Sequence, residues 1–417
     1  MAAQLPPTAH VLNACTDRYR FAVGFAAALV SGRVSLLPST HTPAVIRELA
    51  LFAPDAVCLS DDARCDIELP RVAYPETRAT LTPQWPSPTI DGGRLAAYVF
   101  TSGSTGTPVP HRKTWGRLVQ SVRGAAERFG LLDGRSHALV GTVPPQHMYG
   151  FESTVLLAMQ CGSALTSGRP FFPADIGTAL ARVPRPRVLI TTPVHLRTLI
   201  NAEIELPALD LVLSATAPLP RNLAQAVERR FGAPLQEIYG STETGQIASR
   251  HTARTPEWQL WSEVSLATLD DRTWASGGHV EQSTPMCDVI EITSGGRFLL
   301  HGRTADLVNI AGKRSSLAYL NHQLNAIPGV QDGAFFLRQE PHETDSAVSR
   351  VAAVVVAPGL DAAALNEKLR ERIDPVFLPR PLLFVERLPR NSTGKLPREA
   401  LLALLARCTR QAPEQPS

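Results

Sequence analysis

An α/β fold class, with a large N-terminal domain of layered sheets and helices and a small C-terminal α+β domain, is predicted by three observations. From Leu95 onward, short apolar runs alternate with stretches of helical periodicity, which is the pattern of strands covered by helices. Around residue 303 that texture gives way to a shorter set of helices and strands. The chain has 417 residues, of which 44% are hydrophobic and 19% charged, an ordinary globular composition with length enough for two cores.

In chain order, Phe21 to Val30 is an apolar run too short to span a bilayer, and it follows Asp17, Arg18 and Arg20 without a cleavage site. It predicts a buried helix. Leu95 to Phe100 predicts a strand running into a Gly/Ser/Thr loop. Trp115, Leu118, Val119, Val122, Ala126 and Phe129 then repeat at helical spacing up to a stop at Gly130. Ala138 to Val143, Val188 to Thr192, Leu209 to Ser214 and Leu235 to Tyr239 predict further strands, and Asn222 to Phe231 a helix ended by Gly232. Val289 to Thr293 and Arg297 to His301, joined by Ser294-Gly295-Gly296, predict a hairpin that ends in Gly302-Arg303. Beyond it, helices over Leu317 to Ala326 and Ala362 to Ile373 and strands over Gly333 to Leu337, Val351 to Val356 and Leu382 to Val385 compose the small unit. The expected domains are residues 1–302 and 303–410, with a loose polar tail over 411–417.

Basic residues number 41 and acidic ones 38, a balance that offers no strong field for nucleic acid. Four of the basic residues are lysines (Lys113, Lys313, Lys368 and Lys395), so each is worth placing. The six cysteines are scattered, with no CxxC pair and no His cluster at metal-ligand spacing. A reduced, cytoplasmic setting is the expectation, with no membrane span.

The strongest local signal is Phe100-Thr101-Ser102-Gly103-Ser104-Thr105-Gly106-Thr107-Pro108. Small hydroxylated residues and glycines after a strand let backbone N–H groups and hydroxyls converge on an anion, although the Gly-Lys-Ser/Thr of a Walker loop is missing. Taken alone, such a loop is more often a flexible connection. Tyr239-Gly240-Ser241-Thr242-Glu243-Thr244-Gly245 follows a strand and offers an aromatic face, a glycine for close approach, hydroxyls and a carboxylate. Asp288, Gly302-Arg303 and Asn391-Ser392-Thr393-Gly394-Lys395 follow in that order.

This ordered set, from about Phe21 to Leu401, resembles the superfamily of adenylate-forming enzymes: acyl-CoA synthetases, adenylation domains of peptide synthetases, and luciferases. The resemblance implies the fold of that superfamily, with ATP and Mg²⁺ bound in a cleft between the two domains. It implies that Thr101 and Ser102 to Gly106, with Gly103, Ser104 and Thr105 between them, embrace the β- and γ-phosphates. Thr242 contacts the α-phosphate, Glu243 holds Mg²⁺, Tyr239 stacks on adenine beside Gly240, Asp288 binds the ribose hydroxyls and Arg303 a ribose or phosphate oxygen. Ala215-Thr216-Ala217-Pro218 is similar to the segment that flanks the purine. Lys395 is implied as the cation that bridges substrate carboxylate and α-phosphate, two negative groups that otherwise repel. The superfamily's two-step logic also implies a rotation near Arg303 to Asp306, which withdraws Lys395 and brings the Gly312-Lys313-Arg314 side toward a thiol.

Departures from the superfamily pattern are specific. Val109 follows Pro108 where a lysine is usual, leaving Arg112 and Lys113 as the nearest cations to substitute. Ala305 replaces the first of two acidic hinge residues, and Ser315-Ser316 stands where a glutamate is common. The chain begins close to the stretch that Val34-Ser35-Leu36-Leu37-Pro38 resembles, which reads as a compact version similar to ligases that load acyl carrier proteins in aryl polyene and xanthomonadin-type pigment pathways.

Pro144-Pro145-Gln146-His147-Met148-Tyr149-Gly150-Phe151 resembles the stretch that lines the acid pocket, with His147 as an aromatic gate or carboxylate neighbour; a buried histidine in a turn is the plainer alternative. Its His-x-Tyr pattern is similar to that of aryl-acid-activating members. Amino-acid-activating domains place an aspartate near Met148, and an apolar residue there leaves an ammonium without a partner, at a cost, although Glu152 is close by. A hydroxybenzoate is the preferred substrate, ahead of a medium-chain or other small carboxylate. Tyr149 or Ser214 could hydrogen-bond a ring hydroxyl, and Gly240 leaves room for a flat ring. The acceptor is a phosphopantetheine thiol, on an acyl carrier protein or as coenzyme A; Arg370, Arg372, Arg380 and Arg390 could dock an acidic carrier protein. The alternative class is a non-catalytic nucleotide- or carrier-protein-binding module of the same fold.

Overall fold

The computed structural model describes residues 1–76, 88–102, 108–202, 204–270, 272–303, 307–310, 313–338, 350–390 and 396–411. A six-stranded sheet runs in the order Arg71–Ala73, Val57–Ser60, His10–Asn13, Val34–Leu37, Leu95–Ser102, Pro108–Thr114. Its first five strands are parallel and the last is antiparallel. Successive residues feed opposite faces, as the two-residue period of a strand requires. Val11, Leu37 and Leu59 pack with Phe21 and Phe25 of the helix Arg18–Val30, while Leu12, Leu36 and Cys58 pack with Ile46 and Leu49 of Pro43–Phe52. A parallel sheet covered on both faces reads as unbroken apolar runs, as Val57–Ser60 does.

The second sheet has nine strands in the order Asp288–Ile292, Arg297–Arg303, Trp258–Leu260, Gly245–Arg250, Leu235–Ser241, Leu211–Ser214, Arg187–Thr191, Ala138–Gly141, Ala164–Leu165. The last five are parallel to one another and the others antiparallel. Val140, Leu189, Val212 and Leu235 face the helices Pro173–Ala181, Pro193–Asn201 and Arg221–Phe231, and Leu139, Val188, Ile190 and Leu213 face Ala126 and Leu157 on the other side. Gly130 and Gly232 follow their helices with φ of +69° and +64°, the left-handed stops that the sequence predicts.

The small unit has a sheet of Asp332–Arg338, Arg350–Val356 and Leu382–Phe384. Phe335, Val351, Ala353 and Val355 pack with Leu320 and Leu324 of Leu317–Asn325 and with Leu365 and Leu369 of Ala362–Arg370. Phe336 and Val354 pack on the opposite face with Leu401 and Leu405 of Arg398–Gln411. Among the described residues no helix is long and apolar enough to cross a membrane.

Candidate active site

The turn that closes Leu235–Ser241 onto Gly245–Arg250 is built from backbone constraints. The register of this antiparallel pair slips between Tyr239 and Gly240. A Cβ on Gly240 would stand 2.1 Å from the Gly245 carbonyl oxygen, so only glycine fits there. Gly245 itself has φ of +73°. Ser241 and Thr244 lock the turn reciprocally: the Ser241 N–H donates to Thr244 Oγ1 at 3.1 Å, and the Thr244 N–H to Ser241 Oγ at 3.2 Å. Thr242 and Glu243 are left at its half-exposed tip.

Tyr239 packs against Trp258 and Phe298, with ring centroids 5.4 and 5.5 Å away. Its hydroxyl donates to Asp288 Oδ2 at 2.6 Å. Asp288 begins the hairpin strand and lies directly opposite Arg303 in its register. Three residues far apart in sequence thus converge at one end of the nine-stranded sheet, as the superfamily resemblance implies; of Arg303 it is the backbone position that the structure describes.

The strand pair Leu95–Ser102 and Pro108–Thr114 is in register at Thr101 with Val109 and at Ser102 with Pro108, which fixes where the Ser/Gly/Thr loop springs from the sheet. Gly103, Ser104, Thr105 and Gly106 lie outside the described residues, as do Thr304 to Asp306, Gly312 and Asn391 to Lys395. At the base of the loop, Thr101 Oγ1 is 2.9 Å from His111 Nε2, and that nitrogen is 3.6 Å from Glu243 Oε1. Lys113, two residues along the same strand face, is buried and donates from Nζ to the backbone carbonyl of Glu243 at 2.9 Å. Burial alone would raise the Glu243 carboxyl. Its backbone N–H, the Ser241 hydroxyl, His111 and Lys113 outweigh that and hold it below the ordinary carboxylate value. A single ionised carboxylate at the base of the Ser/Gly/Thr loop is of the kind that suits Mg²⁺, which binds one or two carboxylates and takes its other oxygens from phosphate and water.

Lys113 therefore does not replace the missing loop lysine, because its ammonium is buried inside the protein and tied to the Glu243 carbonyl rather than facing the loop. Arg112 projects from the opposite, exposed face of the strand. Val109 is 44% exposed at the loop base, where the usual lysine would stand.

On the acid side, Ser214 ends its strand fully buried with no hydrogen-bond partner for Oγ among the described residues, and Ala215 is buried beside it. Thr216 has φ of +80°, a conformation β-branched residues avoid; strain of this kind gathers at ligand sites. Ala217 is half-buried. His147 is half-buried just ahead of the helical turn Met148–Gly150. A Cβ on Gly150 would be 2.0 Å from the Pro144 carbonyl oxygen, so this stretch folds back on itself only with glycine there. Met148 is buried. The Tyr149 hydroxyl donates to the carbonyls of Thr191 and Leu213 at 3.2 and 3.1 Å, which pins the turn to the central strands. The proton of that hydroxyl is thus engaged by the central strands, which leaves its oxygen as an acceptor only.

Two features escape sequence reasoning. Arg18, 1% exposed, donates from Nη2 to the carbonyls of Gly141 and Val143 at 2.9 and 2.8 Å, anchoring the segment that leads to His147. Lys113, Ser121, Met148, Glu152, Gly245 and His279 surround a cavity of about 10 Å³. The scarcity of lysine and a lone glutamate in the run after Phe151 are the signals that could have drawn attention to it.

The AMP-binding enzyme family matches residues 8–289, and its C-terminal domain matches residues 322–395. The chain belongs to the AMP-binding enzyme family. It is 30% identical to a 4-coumarate–CoA ligase of Rhodobacter capsulatus over 299 residues, 71% of this chain and 73% of that protein. It is 24% identical to a 4-chlorobenzoate–CoA ligase of a Pseudomonas species, over 76% of this chain and 67% of that protein. Its fold matches that of ATP-bound MatB from Rhodopseudomonas palustris with a TM-score of 0.79 at 20% identity, covering 97% of this chain and 90% of that one. As a member of this adenylate-forming family of acid–CoA ligases, the protein carries out ATP-dependent activation of an acid. The bonded Tyr239–Asp288 pair, the close approach at Gly240 and the strained Thr216 fit a nucleoside held at the end of the nine-stranded sheet.

Proposed function

We propose that the protein activates an aryl carboxylic acid, such as a hydroxybenzoate, and passes it to a phosphopantetheine thiol. The observation that carries this reading is the Tyr239 hydroxyl bonded at 2.6 Å to Asp288, beside the locked turn that presents Thr242 and Glu243. Residues 1–302 bind ATP and the acid, and residues 303–410 carry Lys395. The substrate carboxylate attacks the α-phosphorus, the bond from that phosphorus to the bridging oxygen breaks, and pyrophosphate leaves. Lys395 and Thr242 offset charge on the α-phosphate, and the loop from Thr101 to Gly106 receives the departing phosphates. Mg²⁺ held by Glu243 would supply charge neutralisation. The thiolate then attacks the acyl carbon, and AMP departs with its phosphate oxygen.

The acid class rests on His147, on the apolar Met148 where an ammonium would need a partner, and on the buried Ser214 at the end of its strand. Two similar proteins named for 4-coumarate and 4-chlorobenzoate support it. The acceptor is a carrier-protein or coenzyme A thiol. Pyrophosphate release measured over benzoates, hydroxybenzoates, alkanoates and amino acids, with transfer to coenzyme A and to a holo carrier protein compared, tests the reading. Release with hydroxybenzoates is expected; release with alkanoates alone contradicts the acid class. The exposed Val109 favours a second reading, a nucleotide- or carrier-binding module without turnover, which predicts ATP binding and no release with any acid.

A further inference from the structure

The cavity beside Met148 is small, and the polar side chains among its lining are incompletely satisfied. At about 10 Å³ it has room for one oxygen-sized group. Lys113 and His279 are 4% and 5% exposed. One Lys113 N–H goes to the Glu243 carbonyl, which leaves the ammonium with donors to spare. His279 Nε2 has no hydrogen-bond partner among the described residues, and the Oε1 of neighbouring Gln246, itself 4% exposed, has none either. Glu152, 1% exposed, accepts from Ser121 Oγ at 2.7 Å. A Cβ on Gly245 would lie 2.9 Å from Glu152 Oε1 and 3.5 Å from the His279 ring, so the bare glycine is what keeps the space open.

Resting on the acid-activating reading above, we propose that this cavity is a hydroxyl subsite of the acid pocket, in which a substrate hydroxyl reaching past Met148 accepts from Lys113 and donates to His279 Nε2. A hydroxyl suits both partners best among substituents of this size, since a neutral aryl amine has a delocalised lone pair and accepts poorly from Lys113. A halogen cannot donate, a carboxylate is too large, and an ammonium would meet the Lys113 charge. Burial and Lys113 push the His279 ring down to about 4, so the ring is neutral at neutral pH and one of its nitrogens accepts, with Nε2, the nitrogen without a partner among the described residues, as that one.

The test is acid-dependent pyrophosphate exchange with benzoate, 3- and 4-hydroxybenzoate and their chloro analogues, using wild type, His279→Leu, His279→Gln, Lys113→Met and Ser214→Ala. Wild type is expected to favour one hydroxybenzoate isomer over benzoate by about 10- to 100-fold in kcat/KM, the worth of one or two buried hydrogen bonds. His279→Leu and Lys113→Met should each cut that ratio about tenfold or more through the KM of the hydroxylated acid, while His279→Gln, which keeps an acceptor, retains part of it. Should either variant fail to fold, the other carries the test. An unchanged ratio in the cavity variants, or a ratio lost in Ser214→Ala alone, overturns the subsite. Failure of the acid reading is distinguishable, because wild type would then show no exchange with any benzoate, and the subsite would fall with it.

Discussion

Gly240 shows how a single absent side chain shapes the site. With the Gly245 oxygen only 2.1 Å from where its Cβ would be, Gly240→Ala must push the two strands apart and tilt Thr242 and Glu243 off their positions. We expect a loss of at least about 100-fold in acid-dependent pyrophosphate exchange, with a far-UV CD spectrum like that of wild type; near-normal exchange would contradict the role given to the turn. The titrating residues are legible in a different way. His195 is buried, with Nδ1 2.9 Å from Thr192 Oγ1, and burial pushes its pKa from 6.5 down to about 4. The unfolded chain binds the proton below about pH 6.5 and the folded chain does not until about pH 4, so stability is present above 6.5 and is lost as pH falls across that window. The loss from this group is at most about 3 kcal/mol. Urea unfolding at pH 7 and pH 4.5 should show wild type losing more stability than His195→Gln between the two; equal losses would contradict the assignment. Tyr239, Asp288 and Glu243 could be read from sequence because each sits in a short motif beside a turn. Lys113 and His279 could not, since their chemistry depends on which strands are neighbours.

At the scale of elements, what was legible is what local patterns control. The hairpin Asp288–Ile292 and Arg297–Arg303 forms around Ser294-Gly295-Gly296 as its alternation predicts, with Gly295 and Gly296 at φ of +71° and +69°. The helix Trp115–Arg128 buries Leu118, Val122, Ala125 and Ala126 on one stripe. By contrast, Phe151–Leu156 is a π-helical turn buried on every side, and a mixed run with Glu152, Ser153 and Thr154 between apolar residues gives no sign of that geometry. The order of strands in the two sheets is likewise set by tertiary pairing. Arg18 belongs to this scale: it caps the carbonyls of Gly141 and Val143 from a helix more than a hundred residues away in sequence. Removing it orphans buried acceptors, and Arg18→Ala is expected to lower stability by about 3 kcal/mol, read by urea unfolding. A change within about 0.5 kcal/mol would mean the carbonyls find other donors.

Across the whole molecule, the two units meet through charge. Arg197 on the helix Pro193–Asn201 of the large unit is 3.1 Å from Asp332 at the start of the small unit's sheet. Asp332 also accepts from Nε and Nη2 of Arg390 at 2.8 Å each, and Arg390 directly precedes the segment that contains Lys395. The contact thus couples the large unit to the stretch of chain that leads to Lys395, the residue proposed to bridge carboxylate and α-phosphate. Arg197→Ala removes one favoured orientation of the small unit, and we expect it to change the ratio of adenylate formation to thiol transfer by about 2- to 5-fold, as suits a partly exposed pair. An equal change in both half-reactions would show that the pair does not discriminate between orientations.

In the proposed mechanism Lys395 completes the site that Tyr239, Thr242, Glu243 and Asp288 begin. Acid-dependent exchange of labelled pyrophosphate into ATP, measured for wild type and Lys395→Ala beside thiol transfer from a preformed acyl-adenylate, tests it most directly. A loss of exchange of at least about 100-fold is expected in the variant, with thiol transfer retained. Exchange that survives the substitution, or that no acid elicits from the wild type, would contradict it.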